Sequence, residues 1–250
     1  YKVMALASYG EPAYADAFRR IVRWEGEGRY TTARGRLDEV LGPARTRGGP
    51  MAQRHFDIAR SLQVVLEETA VRMARWLARE TGAENLAMAG GVALNCVMNA
   101  RIRDDGAFRR VWVQPAAGDA GTALGAALWV DHRERGGPRR WTMQDVYLGP
   151  QYGEQEIESF LAWSKLPYSR PAHYTAAVAE RLASGKIVGW FQGRMEFGPR
   201  SLGARSILAS PIPAEMQQRL NEIKDREDFR PVAPAVLEEK AHLWFEGCTD

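Results

Sequence analysis

The chain has 250 residues, enough for one large or two ordinary domains, and its 45% hydrophobic and 26% charged residues are those of a globular protein. A net charge of +3, despite a pI near 9.0, is too small to point to a nucleic-acid or anionic-membrane footprint. No apolar run approaches the about 20 residues of a membrane-spanning helix, so neither nucleic acid nor membrane is expected as a partner.

Taken in order, residues 1–10 read as a short strand-like or helical run closed by a Gly-Glu-Pro turn. Residues 12–24 read as a helix, and 26–50 as an irregular, Arg-rich connection with some strand. The spacing over 56–79 predicts the clearest helix. Ile58, Leu62, Val65, Thr69, Met73 and Trp76 step by three or four, and Ala59, Leu66, Ala70 and Leu77 widen the stripe to a core face. Gly82 stands where a C-terminal glycine belongs. Residues 85–89 read as a buried strand running into Gly90-Gly91, with helical spacing resuming over 92–102. A strand, a glycine pair and a helix can hold a phosphate or sugar at the helix start, and Asn95 in the first turn could bond one. Steric reasons explain such glycines equally well.

A second short strand, 111–114, leads into Pro115-Ala-Ala-Gly-Asp-Ala-Gly121 and a small-residue helix, 122–130. On the residues alone Asp119 is a helix N-cap; a metal or phosphate-site acid is the other reading. Residues 132–142, charged and with Gly136-Gly-Pro138, form the expected domain boundary. Helices are predicted over 154–163 and 174–183, a buried strand over 186–191, a strand over 206–209, and a helix over 213–223 with Pro at its start.

Between those last strands lies FQGRMEFGPRSLGARSILASP, residues 191–211. Its glycines and Pro199 exclude a helix interior, and Arg194, Glu196, Arg200 and Arg205 are set among them. Backbone able to approach a ligand, with arginines beside it, suits an anionic substrate. Lys224 to Pro231 alternates in charge, which usually marks a solvated face. Here it ends in Phe229-Arg230-Pro231 and an apolar stretch, so Lys224 and Arg230 are candidates to join Arg200. The four histidines, His55, His132, His173 and His242, lie at neither metal nor triad spacing. Cys96 and Cys248 make no disulfide framework, which fits a reducing, cytoplasmic compartment.

AMAGGVALN, PAAGDAGTALGAA, GRMEFGPRSLGARSILASP and IKDREDFRPVAPAVLEE together resemble the O-carbamoyltransferase family of nodulation-factor, cephem and aminoglycoside carbamoyltransferases. YKVMALASYG is similar to that family's GKVMGLAPYG element, and the resemblance runs in order from Tyr1 to about Glu239. The last two motifs are long and specific; the first two recur more widely among actin-like ATPases. The resemblance implies an α/β protein. Residues 1–140 would be the later part of an actin-like (RNase H-like) carbamoyl-transfer domain, and 141–250 an incomplete YrdC-like domain that forms the adenylate. It implies carbamoyl phosphate as donor, ATP as co-substrate, carbamoyl-adenylate as intermediate, a small-molecule alcohol as acceptor and a divalent metal, iron, as helper. An oligomer is compatible with it.

Residue by residue, the resemblance assigns Arg200, Lys224 and Arg230 to carbamoyl phosphate, with Arg205 and Glu196 beside them. Gly90, Gly91 and Asn95 match its nucleotide turn, and Asp119 its metal-binding acid, in place of the N-cap. The family's metal-binding histidines fall before Tyr1 and its Asn-Thr-Ser element after Asp250, so the chain reads as a middle piece of a longer protein, unable to complete catalysis alone. Ser201 and Ala204 replace the usual Ala and Asn beside Arg200. Competing readings are a hydrogenase-maturation carbamoyltransferase, a nucleotide-binding module without catalysis, and an RNA-binding relative of the tRNA-modifying proteins.

Overall fold

The computed structural model describes residues 2–33 and 37–247. Cys248 lies outside the described residues; Cys96 is a free, exposed thiol. The chain folds as two compact units, Tyr1–Pro167 with Trp190–Ser206, and Tyr168–Gly189 with Ile207–Asp250.

The first unit opens with α1 (Lys2–Ala7), α2 (Ala15–Ile21), β1 (Val22–Gly26), β2 (Arg29–Thr32), α3 (Leu37–Leu41) and the long α4 (Gln53–Thr81). The opening run, ambiguous in sequence, is thus a helix. The helix expected over 12–24 stops at Ile21, and Trp24 belongs to a strand. Gly26, Glu27 and Gly28 all take positive φ, at 83°, 48° and 71°, which ends helical propagation and turns the chain back as an antiparallel hairpin.

α1 and α2 both pack on α4. Ala59 and Val65 of the expected stripe are buried, as is Ala74 outside it, but Leu62 and Met73 are more than a third exposed. The helix instead buries Ser61, Gln63 and Glu67. Each has a partner, as a buried polar group requires. The Ser61 hydroxyl accepts from the Tyr14 N–H at 2.8 Å and donates to the Asp57 carbonyl at 2.6 Å. The start of α2 thereby covers a polar side of α4. Gly82 closes α4 in the left-handed region, donating to the Ala78 carbonyl.

β3 (Asn85–Met88), α5 (Cys96–Asp104) and β4 (Arg110–Val113) follow, with β3 and β4 paired in parallel, Asn85 opposite Arg110 and Met88 opposite Val113. β3 is not the buried strand expected: its residues alternate exposed and half-buried, and only Leu86 and Met88 pack on the core formed by Ala74, Met98, Ile102 and Phe108. The helix expected from 92 is interrupted. Gly91–Leu94 is a 3₁₀ turn, Asn95 is extended, and α5 starts at Cys96 because the Asn95 side chain accepts from the Met98 N–H at 3.0 Å. α6 (Gly121–Trp129) and α7 (Glu154–Ser164) bury no residue.

The second unit contains α8 (Tyr174–Ala183) and α9 (Met216–Ile223). β5 (Val188–Phe191) and β6 (Arg205–Leu208) pair as a two-stranded sheet, and the chain passes from one unit to the other within each strand. α9 buries Met216, Leu220 and Asn221 and begins at Met216, three residues beyond the proline expected to start it. The whole is mixed α/β with three small sheets among the described residues.

Candidate functional site

Three stretches singled out in the sequence meet inside the first unit. Gly90 leaves β3 with φ 97° and ψ 157°, a conformation open essentially to glycine alone. Its N–H donates to the Ala117 carbonyl at 2.8 Å, joining the turns that follow the two parallel strands. Ala116 and Ala117 are buried there. Residues 193–205 reach the same place: a methyl group at Gly198 would lie 2.8 Å from the Pro115 carbonyl oxygen.

That third loop is held by its own charges. Arg194 donates to the carbonyls of Gly149 and Leu148 at 3.1 and 3.0 Å. Backbone bonds from Met195 to Pro150 and from Phe197 to Val146 fix the same edge. Glu196 is only 4% exposed. Its carboxylate accepts from the N–H groups of Leu202 and Ala204 at 2.6 and 2.9 Å and from the Arg205 Nε at 2.8 Å. Burial pushes the Glu196 carboxyl up, but Arg205 and those backbone donors outweigh it and hold the carboxyl down at about 2. Glu196 and Arg205, expected at the substrate, therefore face each other within the loop. Arg200 differs: it is exposed and, among the described residues, makes no side-chain hydrogen bond or ion pair.

Asn95 accepts from the Gln63 amide at 3.1 Å and donates back to it at 2.9 Å, so its side chain ties α5 to α4 besides capping α5. Gln63 also donates to Glu67 at 3.0 Å. Gly91 has open space where a side chain would stand. The Asp119 side chain is not the cap of α6; the Thr122 hydroxyl and N–H both bond the Asp119 carbonyl, at 2.6 and 3.1 Å, and the residue is exposed. Among the described residues no group of three or more His, Cys, Asp or Glu could hold a metal ion. A lone exposed carboxylate does not fit a divalent centre.

Lys224 and Arg230 belong to the second unit, where Arg226 joins them. Burial disfavours the charged form of Lys224, and Arg226 and Arg230 disfavour it further. Burial and Arg230 act on Arg226 in the same direction, against a smaller opposing pull from Glu227. Three cations, Lys224, Arg226 and Arg230, thus stand near one another among the acids Asp225, Glu227 and Asp228. Sequence reading missed Arg226 and the buried Asn221 behind it, because neither breaks the charge alternation or the helical spacing.

The family described as "Carbamoyltransferase N-terminus" matches residues 1–128, and "Carbamoyltransferase C-terminus" matches 179–250. The chain belongs to the carbamoyltransferase family. It is 45% identical, over 98% of its length and 46% of the relative's, to nodulation protein NolO of Bradyrhizobium diazoefficiens. It is 42% identical to nodulation protein NolNO of Sinorhizobium fredii, over 98% of this chain and 37% of that one. An uncharacterized protein of Synechocystis is 43% identical, over 98% of this chain and 44% of the relative. The chain spans less than half the length of each. The family is one of transferase enzymes, and no helix among the described residues is long and apolar enough to cross a membrane.

Proposed function

We propose that the protein of which this chain is the whole or a part is an ATP-dependent O-carbamoyltransferase acting on an alcohol of a small molecule, such as an antibiotic or a glycan. Water attacks the phosphorus of carbamoyl phosphate, the bond between phosphorus and the carbamoyl oxygen breaks, and inorganic phosphate and carbamate result. The carbamate oxygen attacks the α-phosphorus of ATP, pyrophosphate leaves, and carbamoyl-adenylate forms. The acceptor hydroxyl then attacks the carbamoyl carbon, its proton is removed, and AMP leaves. Residues 1–140 supply the actin-like transfer part and 141–250 the YrdC-like part in this reading.

The observation that carries it is the state of Arg200. The other three charged side chains of its loop are spent on holding that loop, while Arg200 stands exposed and without a protein partner among the described residues. A planar guanidinium on a rigid loop suits a compact phosphate dianion. Lys224 and Arg230 are the further contacts, Arg205 and Glu196 shape the loop, and Gly90 and Gly91 offer backbone to ATP, with Asn95 fixing the helix beside them. Metal binding at Asp119, with iron as the expected ion, needs ligands beyond the described residues. The protein is read as cytoplasmic.

The test is incubation of the complete protein with ATP and isotopically labelled carbamoyl phosphate, with an amine trap for the activated carbamoyl group. Trapped label that requires both substrates supports the reading. Trapping without ATP, or none with both, contradicts it.

A further inference from the structure

Asn221, in the last turn of α9, is 0% exposed. Its amide nitrogen donates to the carbonyls of Asp228 and Arg230 at 2.9 and 3.0 Å, and its amide oxygen accepts from the Arg226 Nε at 2.5 Å. The Arg226 N–H donates to the Asn221 carbonyl at 3.0 Å, and the Arg226 Nη2 to the Pro231 carbonyl at 3.2 Å. Gln217, one turn earlier, donates to the same two carbonyls, each at 3.3 Å. Asn221, with Gln217 and Arg226, therefore ties segment 226–231 to the end of α9.

A buried amide is costly unless its bonds are made, and a leucine would satisfy the packing of α9 without them. What the amide gives instead is a fixed loop, and that loop carries Lys224, Arg226 and Arg230. Glu227 stands 3.9 Å from Arg230, and the balance on Lys224 and Arg226 disfavours their charged forms. Lys224, Arg226 and Arg230 share the loop with Asp225, Glu227 and Asp228, so which charges a ligand meets depends on how the loop backbone is held. We infer that Asn221 is the positioning residue of an anion-binding loop, holding the backbone of 226–230 so that Lys224 and Arg230 stay together for a phosphate group, with Arg226 as the anchored third cation. The identity of that anion as carbamoyl phosphate rests on the proposed function; the loop's affinity for a phosphate group does not.

The test uses Asn221→Asp in the complete protein, which keeps the size but points oxygens at the Asp228 and Arg230 carbonyls. Hydrogen exchange of the 224–230 amides is followed with and without inorganic phosphate at fixed ionic strength, alongside KM for carbamoyl phosphate and for ATP. In the unmodified protein phosphate slows exchange of the loop amides. In Asn221→Asp that slowing is lost and KM for carbamoyl phosphate rises about tenfold, the equivalent of one charge-assisted bond, while KM for ATP and the protection of residues 216–220 stay as they were. Gln217→Ala, which removes only the weaker pair of bonds, gives the same pattern with a rise of about threefold. Phosphate protection in the unmodified protein without any use of carbamoyl phosphate leaves the loop standing and removes the proposed reaction. No phosphate protection in the unmodified protein, normal protection and KM in a folded Asn221→Asp, or equal loss across α9 and both substrates overturns the inference.

Discussion

Gly198 and Pro115 are in backbone contact: the position a Cβ would take on Gly198 is 2.8 Å from the Pro115 carbonyl oxygen. Pro115 lies in the stretch that matches the family's N-terminal description and Gly198 in the stretch that matches its C-terminal one. Gly198 has φ 125°, so alanine there meets both the carbonyl and an unfavourable backbone. Gly198→Ala is expected to destabilise the protein by about 1–3 kcal/mol from the backbone alone, with the collision added. Urea unfolding measures it; an unchanged midpoint would show that the contact is loose.

Glu196→Gln tests the inner frame of the same loop. It removes a charge that faces Arg205 and two backbone donors, and should cost about 2 kcal/mol or more by the same unfolding measurement. The sign of the pH effect follows from the direction of the shift. The carboxyl is held at about 2 when folded, against an ordinary value of about 4.3. Its contribution is therefore complete above about pH 4.3 and is lost as pH falls toward 2. The unmodified protein should lose stability across that window more steeply than Glu196→Gln; parallel curves would contradict the assignment.

Much of this was legible in the sequence, and the failures have a common cause. Long apolar spacing placed α4, and the Gly-rich stretch placed the loop around Arg200. The burial of Ser61, Gln63 and Glu67 was not legible, because a polar side chain is buried only where a distant segment brings its partner, as Tyr14 does for Ser61. Glu196 reads in the sequence as a substrate contact, and its bonds to Leu202, Ala204 and Arg205 within the loop are visible only in the fold. Asn95 reads in the sequence as a first-turn residue able to bond a phosphate or sugar; its capping of Met98 and its bond to Gln63, 32 residues away, show only in the fold. Trp24 fell on the wrong element because the Gly26–Gly28 turn outweighs the helical spacing before it.

The Gln63–Asn95 pair makes two reciprocal bonds, at 3.1 and 2.9 Å. A double-mutant cycle of Gln63→Ala and Asn95→Ala should give a coupling of about 1 kcal/mol or more. Additive effects would mean that the two amides act independently, and the tie between α4 and α5 would be discarded.

Gly90 and Gly91 should separate. Gly90→Ala is strained by its φ of 97° and should lower the melting temperature. Gly91 meets no atom within 4 Å at its Cβ position, so Gly91→Val should fold normally and lose ATP affinity, because a side chain there blocks backbone approach to phosphates. Calorimetry with ATP on both variants checks this. Full ATP affinity in folded Gly91→Val would remove this turn from the nucleotide site.

In the proposed function Arg200, Lys224 and Arg230 each contribute to the use of carbamoyl phosphate. The direct measurement is carbamoyl-phosphate-dependent release of pyrophosphate from ATP by the complete protein, comparing Arg200→Ala, Arg200→Lys and Lys224→Ala with the unmodified enzyme. Each lost charge-assisted bond is worth about 1.5–3 kcal/mol, so kcat/KM for carbamoyl phosphate should fall about ten- to a hundredfold in each variant. Arg200→Lys should be among them, since an ammonium lacks the two-pronged contact, and ATP affinity should hold. Normal use of carbamoyl phosphate by all three variants, or an equal loss of ATP affinity, would contradict the account.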